Sequence, residues 1–355
     1  MSLIYDVIND AIKMKASDIH LTNSIYPMLR VYGKLVALKS YGVMTPERLA
    51  DQVKLLLDEH LCQKYKKNRY IDSSAELNGY RFRIHIYRQQ NADAFALRLI
   101  PLEIPEFNSL HLPEVVRKFT LVKNGLVLIT GTTGSGKSTT LASIINEINE
   151  TQSQHIITVE DPIEFLHQHK ESVINQREVG NDVLTFADAV KSAMREDPDI
   201  LLVGEMRDLD TITNAITMAE TGHLVFATLH TKSVAETVDR IIDVFPPEQQ
   251  KQIRIQLANT LQGIVSQSLL PNKDNKRVPA CEVLVVNEAV RSIIKEGGSA
   301  NSINDQIQMN HKRLGCQSMV QSIAWLYNQG LITQEVAFEQ AEDKEMLKRM
   351  IIAGS

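Results

Sequence analysis

Cysteine is scarce in this chain: Cys62, Cys281 and Cys316 are the three among 355 residues, they lie far apart, and no C-x-x-C pair occurs. A disulfide framework and a tetracysteine zinc site are thereby excluded, and a reducing compartment fits. Long apolar runs are missing too, since none approaches the roughly 18 residues needed to span a bilayer. The first residues lack the charged n-region and apolar h-region of a secretion signal. Instead Ile4, Val7, Ile8, Ala11 and Ile12 mark one face of an amphipathic helix interrupted by acids and lysines. The expectation is a soluble, cytoplasmic protein with no transmembrane segment, touching a membrane only through partners. An excess of basic charge is also absent: 38 Lys and Arg against 43 Asp and Glu leave a net charge of −5, which argues against a general nucleic-acid binder. There is no internal repeat and no low-complexity tract.

What is present is ample hydrophobic material, 43% of 355 residues, enough for two domains with cores of their own. The chain is organised around Leu126-Val-Leu-Ile-Thr-Gly-Thr-Thr-Gly-Ser-Gly-Lys-Ser-Thr-Thr140. An apolar strand breaks into glycines, and Leu141, Ile144, Ile145 and Ile148 then follow at helical spacing. Gly131, Gly134 and Gly136 let the backbone curl so that the N–H groups of Thr132, Thr133, Ser135 and the following helix start, through Thr139, surround a polyphosphate. Lys137 adds a point charge at the β- and γ-phosphates, and the Ser138 hydroxyl is placed to ligate Mg²⁺. Binding of ATP or GTP is the starting point.

Residues 1–100 read as a small α+β domain. Thr45-Pro46 starts a helix with Leu49, Val53, Leu56 and Leu57 on one face, expected to run out in the basic stretch 64–69. Asn78-Gly79 is a strong hairpin signal. The strand after it alternates, with Phe82, Ile84 and Ile86 toward a core and Arg81, Arg83 and His85 on the other face. Those arginines are either merely solvated or rigidly mounted for a phosphate across an interface; Arg98 sits on a third strand. Residues 101–113, with three prolines, read as an interdomain linker. Residues 114–270 alternate near-continuous apolar strands with helices, which implies a parallel sheet covered on both faces. The stretch 248–270 is expected to be helical, with Ile253, Leu257, Leu261 and Ile264 along one stripe. Residues 271–355 are expected to be mostly helical after a strand at 278–286.

In such sheets ligands sit beyond the carboxyl ends of the strands, where four polar clusters converge: 132–138, 160–164, 205–208 and 228–231. Glu205 ends an apolar strand and suits the metal shell. Glu164 is the candidate to orient the attacking water, with Glu160 and Asp161 as rivals. His230 suits a hydrogen-bond donor or sensor, the lesser alternative being that His223 or His230 is an ordinary loop histidine. Arg195 and Arg207 are open to a purely structural reading as ion-pair partners.

These motifs together resemble those of the secretion-superfamily ATPases, and within them the type IV pilus retraction motors, over nearly the whole chain. Ala16-Ser-Asp-Ile-His-Leu21 is similar to the N-terminal signature, residues 131–138 to the Walker A loop, and Thr158-Val-Glu-Asp-Pro-Ile-Glu164 to the Asp box. Residues 197–208 are similar to Walker B and 222–231 to the His box. Ala289-Val-Arg-Ser-Ile-Ile-Lys-Glu296 resembles the retraction signature AIRNLIRE, departing at Val290, Ser292, Ile293 and Lys295. The resemblance implies a PAS-like N-terminal domain, a RecA-like P-loop ATPase domain with a helical C-terminal extension, and a homohexameric ring that drives pilus retraction through an inner-membrane platform protein. It implies Glu164 as catalytic carboxylate, Glu205 as Walker B acid and His230 as the His-box histidine. ATP would bind between the domains, with Arg81, Arg83 and Arg98 as the completing cations and hinge motion about 101–113 transmitting the work. The missing tetracysteine motif and the absence of a long additional N-terminal domain favour retraction over extension or secretion.

Overall fold

The computed structural model describes residues 3–100, 103–274 and 276–353. The chain divides into two compact units, Met1–Glu103 and Ile104–Ser355. Pro101 and Leu102, the first residues of the expected linker, lie outside the described residues. Among the described residues, no helix is long and apolar enough to cross a membrane.

The first unit runs α1 (Leu3–Lys13), β1 (Asp18–Leu21), β2 (Met28–Val31), β3 (Lys34–Ala37), α2 (Pro46–Leu56), α3 (Glu59–Asn68), β4 (Tyr70–Leu77), β5 (Tyr80–Gln89) and β6 (Ala92–Ile100). Its sheet has the order β3-β2-β1-β6-β5-β4 and is antiparallel throughout. α1 buries Ile4, Val7, Ile8 and Ala11, the face marked by its 3.6-residue period. The single helix expected from Thr45 to the 64–69 stretch is two helices. Asp58 takes an extended conformation and its carboxylate accepts from the Leu61 N–H at 2.8 Å, so a new N-terminus begins there. Such a cap stabilises a helix start by about 1 kcal/mol, enough to divide a run whose apolar stripe is already thinning.

The second unit contains α4 (Glu114–Lys118), β7 (Gly125–Thr130), α5 (Lys137–Thr151), β8 (His155–Glu160), β9 (Val173–Glu178), α6 (Phe186–Ala193), β10 (Ile200–Val203), α7 (Leu209–Glu220) and β11 (Leu224–Leu229). It continues with α8 (Val234–Asp243), α9 (Pro247–Thr260), β12 (Leu261–Pro271), β13 (Arg277–Val285), α10 (Glu288–Glu296), α11 (Ala300–Met309) and α12 (His311–Leu314). The last helices are α13 (Met319–Asn328), α14 (Gln334–Gln340) and α15 (Lys344–Ala353). The sheet order is β13-β12-β7-β11-β10-β8-β9. Six strands are parallel and β13 closes one edge antiparallel to β12.

Every residue of β7, β10 and β11 is buried, which is why these strands read as continuous apolar runs. Helix α5 covers one face with Ile144, Ile145 and Ile148, all fully buried and each worth about 1.5–3 kcal/mol of transfer free energy. Helices α6, α7, α8 and α9 close the other face.

The helix expected over 248–270 ends at Thr260, and the remainder, from Leu261, is β12, inserted beside β7. The spacing 253, 257, 261 and 264 suits a helix, but Gly263, Ile264 and Val265 are poor helix formers, and burial on both faces rewards them in a central strand. β13 likewise joins this sheet instead of standing apart in the C-terminal region. β9 went unanticipated because its sequence is mostly polar. The helices expected at 299–312 and 333–351 are each two, α11 with α12 and α14 with α15.

Candidate active site

β7 delivers the chain to the phosphate loop at the carboxyl edge of the parallel sheet, and α5 starts at Lys137. Lys137 is buried, and its ammonium donates to the carbonyls of Gly131 at 2.8 Å and Thr132 at 3.1 Å. Burial pulls its pKa down, opposed by the carboxylates of Glu205 and Glu164. Those two acids follow different strands of the sheet, β8 and β10, and the charge of each acts on the lysine. Thr132, Thr133 and Gly134 are exposed, whereas Ser138 and Thr139 are half-buried on the first turn of α5.

Glu205 follows β10, two residues past Val203. Its Oε1 accepts from Arg207 Nε at 2.5 Å and lies 3.1 Å from His230 Nε2. Burial works against its ionisation, but the hydrogen bonds and charges of Arg207 and His230 outweigh burial and hold the carboxyl below the usual range. The ion-pair reading of Arg207 is therefore correct; Arg195 has no side-chain partner among the described residues. Of the two histidines, His230 stands at the phosphate-loop edge. His223 sits at the opposite end of β11, its Nδ1 3.0 Å from the Met218 carbonyl oxygen, as an ordinary turn residue.

Glu164 is exposed on the turn after β8, and two carboxylates, Glu160 half-buried and Glu178 buried, hold that turn by its backbone. Glu160 takes the Glu164 N–H, and Glu178 on β9 accepts from the Ile163 N–H at 3.1 Å. Glu160 also accepts from Thr158 Oγ1 at 2.7 Å and Gln176 Nε2 at 3.2 Å. With its oxygens so engaged, it anchors the turn beneath Glu164. Reading the sequence missed Gln176 and Glu178 because their strand carries no apolar signal.

A small cavity of about 30 Å³ lies among Ser138, Glu160, His167, Gly204 and Thr228, space for roughly one or two waters. Burial pushes the Glu160 carboxyl up to about 7 and the His167 imidazole down to about 4. His167 Nδ1 is buried with no partner among the described residues. The two shifts act on stability with opposite signs. The His167 contribution is complete above its unfolded value near 6.5 and is lost as pH falls toward 4. The Glu160 contribution is complete below 4.5 and is lost as pH rises toward 7. Relative to wild type, His167→Phe should lose up to about 3 kcal/mol as pH rises across its window, and Glu160→Gln should gain a similar amount across its own. Urea unfolding of the three proteins at a series of pH values checks this; parallel curves would contradict it.

Arg81, Arg83 and Arg98 stand on the exposed face of the antiparallel sheet in the other unit. Arg83 and Arg98 are directly opposite across β5 and β6. Arg81 donates to Ser74 Oγ at 2.9 Å. Arg98 is fixed through its Nε to Asp18 Oδ1 at 2.9 Å. Burial would raise the Asp18 carboxyl, but hydrogen bonds from Arg98 and Ser17 prevail and hold it below the usual range. Arg83 is exposed and has no side-chain partner among the described residues. In α10, Arg291 donates to the carbonyls of Ala258 and Asn259 at the end of α9, so this residue of the AIRNLIRE-like stretch caps a neighbouring helix.

Among the described residues, no three His, Cys, Asp or Glu side chains are grouped to hold a metal ion. One hydroxyl, Ser138, and one carboxylate kept anionic, Glu205, form the sparse hard-oxygen set that suits Mg²⁺ held chiefly by substrate phosphates and water.

Residues 1–336 match the family model described as type II/IV secretion system protein. The chain is 45% identical over 323 residues to a twitching motility protein of Neisseria gonorrhoeae, covering 90% of this chain and 86% of the other. It is 42% identical over 338 residues to the type IV pilus retraction ATPase PilT of Pseudomonas aeruginosa, covering 94% and 96%. A crystal structure of the pilus retraction motor PilT with bound ADP superposes with a TM-score of 0.90 at 47% identity, covering 98% of this chain and 99% of that one.

Proposed function

The chain belongs to the type II/IV secretion system protein family, and from that premise we propose that it is an ATPase motor driving retraction of type IV pili. The observation that carries this is the buried Lys137 held on the glycine loop by the Gly131 and Thr132 carbonyls at the carboxyl edge of a parallel sheet, in a chain similar over almost its whole length to a retraction motor bound to ADP. The loop N–H groups and Lys137 take the β- and γ-phosphates, the ammonium exchanging its two carbonyl bonds for phosphate oxygens. Ser138 and Glu205 would hold Mg²⁺, which when bound would neutralise charge on the phosphate oxygens. Glu164 orients the attacking water. His230, beside Glu205, reports the state of the γ-phosphate to β11 and its loop. Arg83, with Arg81 and Arg98 beside it, completes the site of a neighbouring copy in a homohexameric ring. The ring works at the cytoplasmic face of the inner membrane on a platform protein of the pilus.

Purified protein is expected to hydrolyse ATP only with Mg²⁺. Cells lacking it are expected to be hyperpiliated and nonmotile, scored by electron microscopy and a twitching assay. Bald cells would assign the chain to pilus extension, and normal piliation with lost protein secretion would assign it to a secretion system.

A further inference from the structure

Gln267 lies on β12, buried to 3% exposure, with no role in any motif described above. Its side chain crosses to the phosphate loop. Nε2 donates to the Ser135 carbonyl at 2.8 Å, and Oε1 accepts from the Thr140 hydroxyl at 3.0 Å, both bonds buried. The contact extends along the loop. A Cβ on Gly131 would meet the Gln267 carbonyl oxygen at 2.3 Å, and one on Gly136 would meet Gln267 Nε2 at 2.9 Å. Both glycines also have left-handed φ, 143° and 90°. Two glycines of the loop are thus required by what Gln267 places beneath them as well as by the turn.

We propose that Gln267 is the positioning residue of the phosphate loop, orienting its N–H groups toward the polyphosphate; the inference rests on the loop binding ATP as proposed above. In a planar trans peptide the C=O and N–H point in opposite directions. Tethering the Ser135 carbonyl inward therefore aims the Gly136 N–H outward, toward an anion. The Thr140 bond fixes the first turn of α5, whose N-terminus faces the same anion. The chemistry calls for glutamine in particular. The Ser135 carbonyl can only accept, so the amide must present NH₂ there and its oxygen to the hydroxyl. An ionised glutamate has the same shape but would set a charge against that carbonyl.

The test is titration of wild type, Lys137→Ala, Gln267→Glu, Gln267→Leu and Thr140→Val with a fluorescent ATP analogue at about pH 8.5 and about pH 6, where a buried carboxyl regains its proton. Gln267→Glu should bind at least about tenfold more weakly at the higher pH and recover most of that at the lower, since a protonated carboxyl donates to Ser135. Gln267→Leu should be weak at both. A merely structural role would give no such rescue. Binding within about twofold of wild type for both Gln267 variants at both pH values would overturn the proposal. Should neither fold, Thr140→Val decides: about threefold to fivefold weaker binding supports it and unchanged binding refutes it. Wild-type-like binding by Lys137→Ala would instead refute the parent reading of the loop, independently of Gln267.

Discussion

Replacing Glu164 with Gln is expected to slow ATP turnover by about two to four orders of magnitude while ATP binding persists or tightens. The substitution keeps shape but removes the charge that orients and accepts from water. That magnitude corresponds to about 3–5 kcal/mol of transition-state stabilisation. Folding should be untouched, because the side chain is exposed and the turn is held by the Glu164 backbone N–H on Glu160. Binding should not suffer, since one of the two negative charges facing Lys137 is removed just where a polyphosphate adds more. Steady-state turnover and nucleotide binding measured on one preparation separate the two effects. Turnover within about twofold of wild type would move the role to Glu160 or Asp161.

Arg83→Ala is the second large effect, with turnover expected to fall about a thousandfold or more, the scale of an arginine finger. The three arginines of the antiparallel sheet are not equivalent. Arg98 is tied to Asp18 and Arg81 bonds Ser74, whereas the Arg83 guanidinium has no side-chain partner among the described residues and keeps its whole fork for an incoming phosphate. If it serves a neighbouring copy, the two dead variants should complement each other. Randomly mixed Glu164→Gln and Arg83→Ala subunits leave roughly a quarter of interfaces with both groups intact, and turnover should return in proportion. Normal turnover by Arg83→Ala alone would send the search for the cation to Arg81, Arg98 or Arg207.

How much of this site shows in the sequence follows from how local each piece is. The phosphate loop and α5 are contiguous, so spacing reveals them. Glu205 and His230 end apolar strands whose parallel order can be inferred. Arg83 and Arg98 alternate visibly on their strands, yet the Asp18 that anchors Arg98 is 80 residues away and nothing in the pattern ties the two. Glu178 and Gln176 hold the Glu164 turn from a strand with no apolar period. The misread end of α9 has a different cause. Leu261 and Ile264 continue a helical spacing by coincidence, and the place beside β7, taken by a stretch of weak helix formers, makes their segment a strand. Gln267 was hidden by the same error, since a residue assigned to a helix cannot be foreseen beneath a loop.

The position of β12 also bears on how the protein is made. β7, which carries the phosphate loop, pairs with β11 on one side and with β12 on the other. β12 in turn needs β13 to complete its ladder. A nascent chain emerging from the ribosome as far as Thr260 already contains every signature of the nucleotide site, yet the strand that floors the loop has not been synthesised. Closing pairings separated by well over a hundred residues is slow by loop entropy alone. The strand that carries Gln267 is thus the last partner of β7 to be made, after every motif of the loop it underlies.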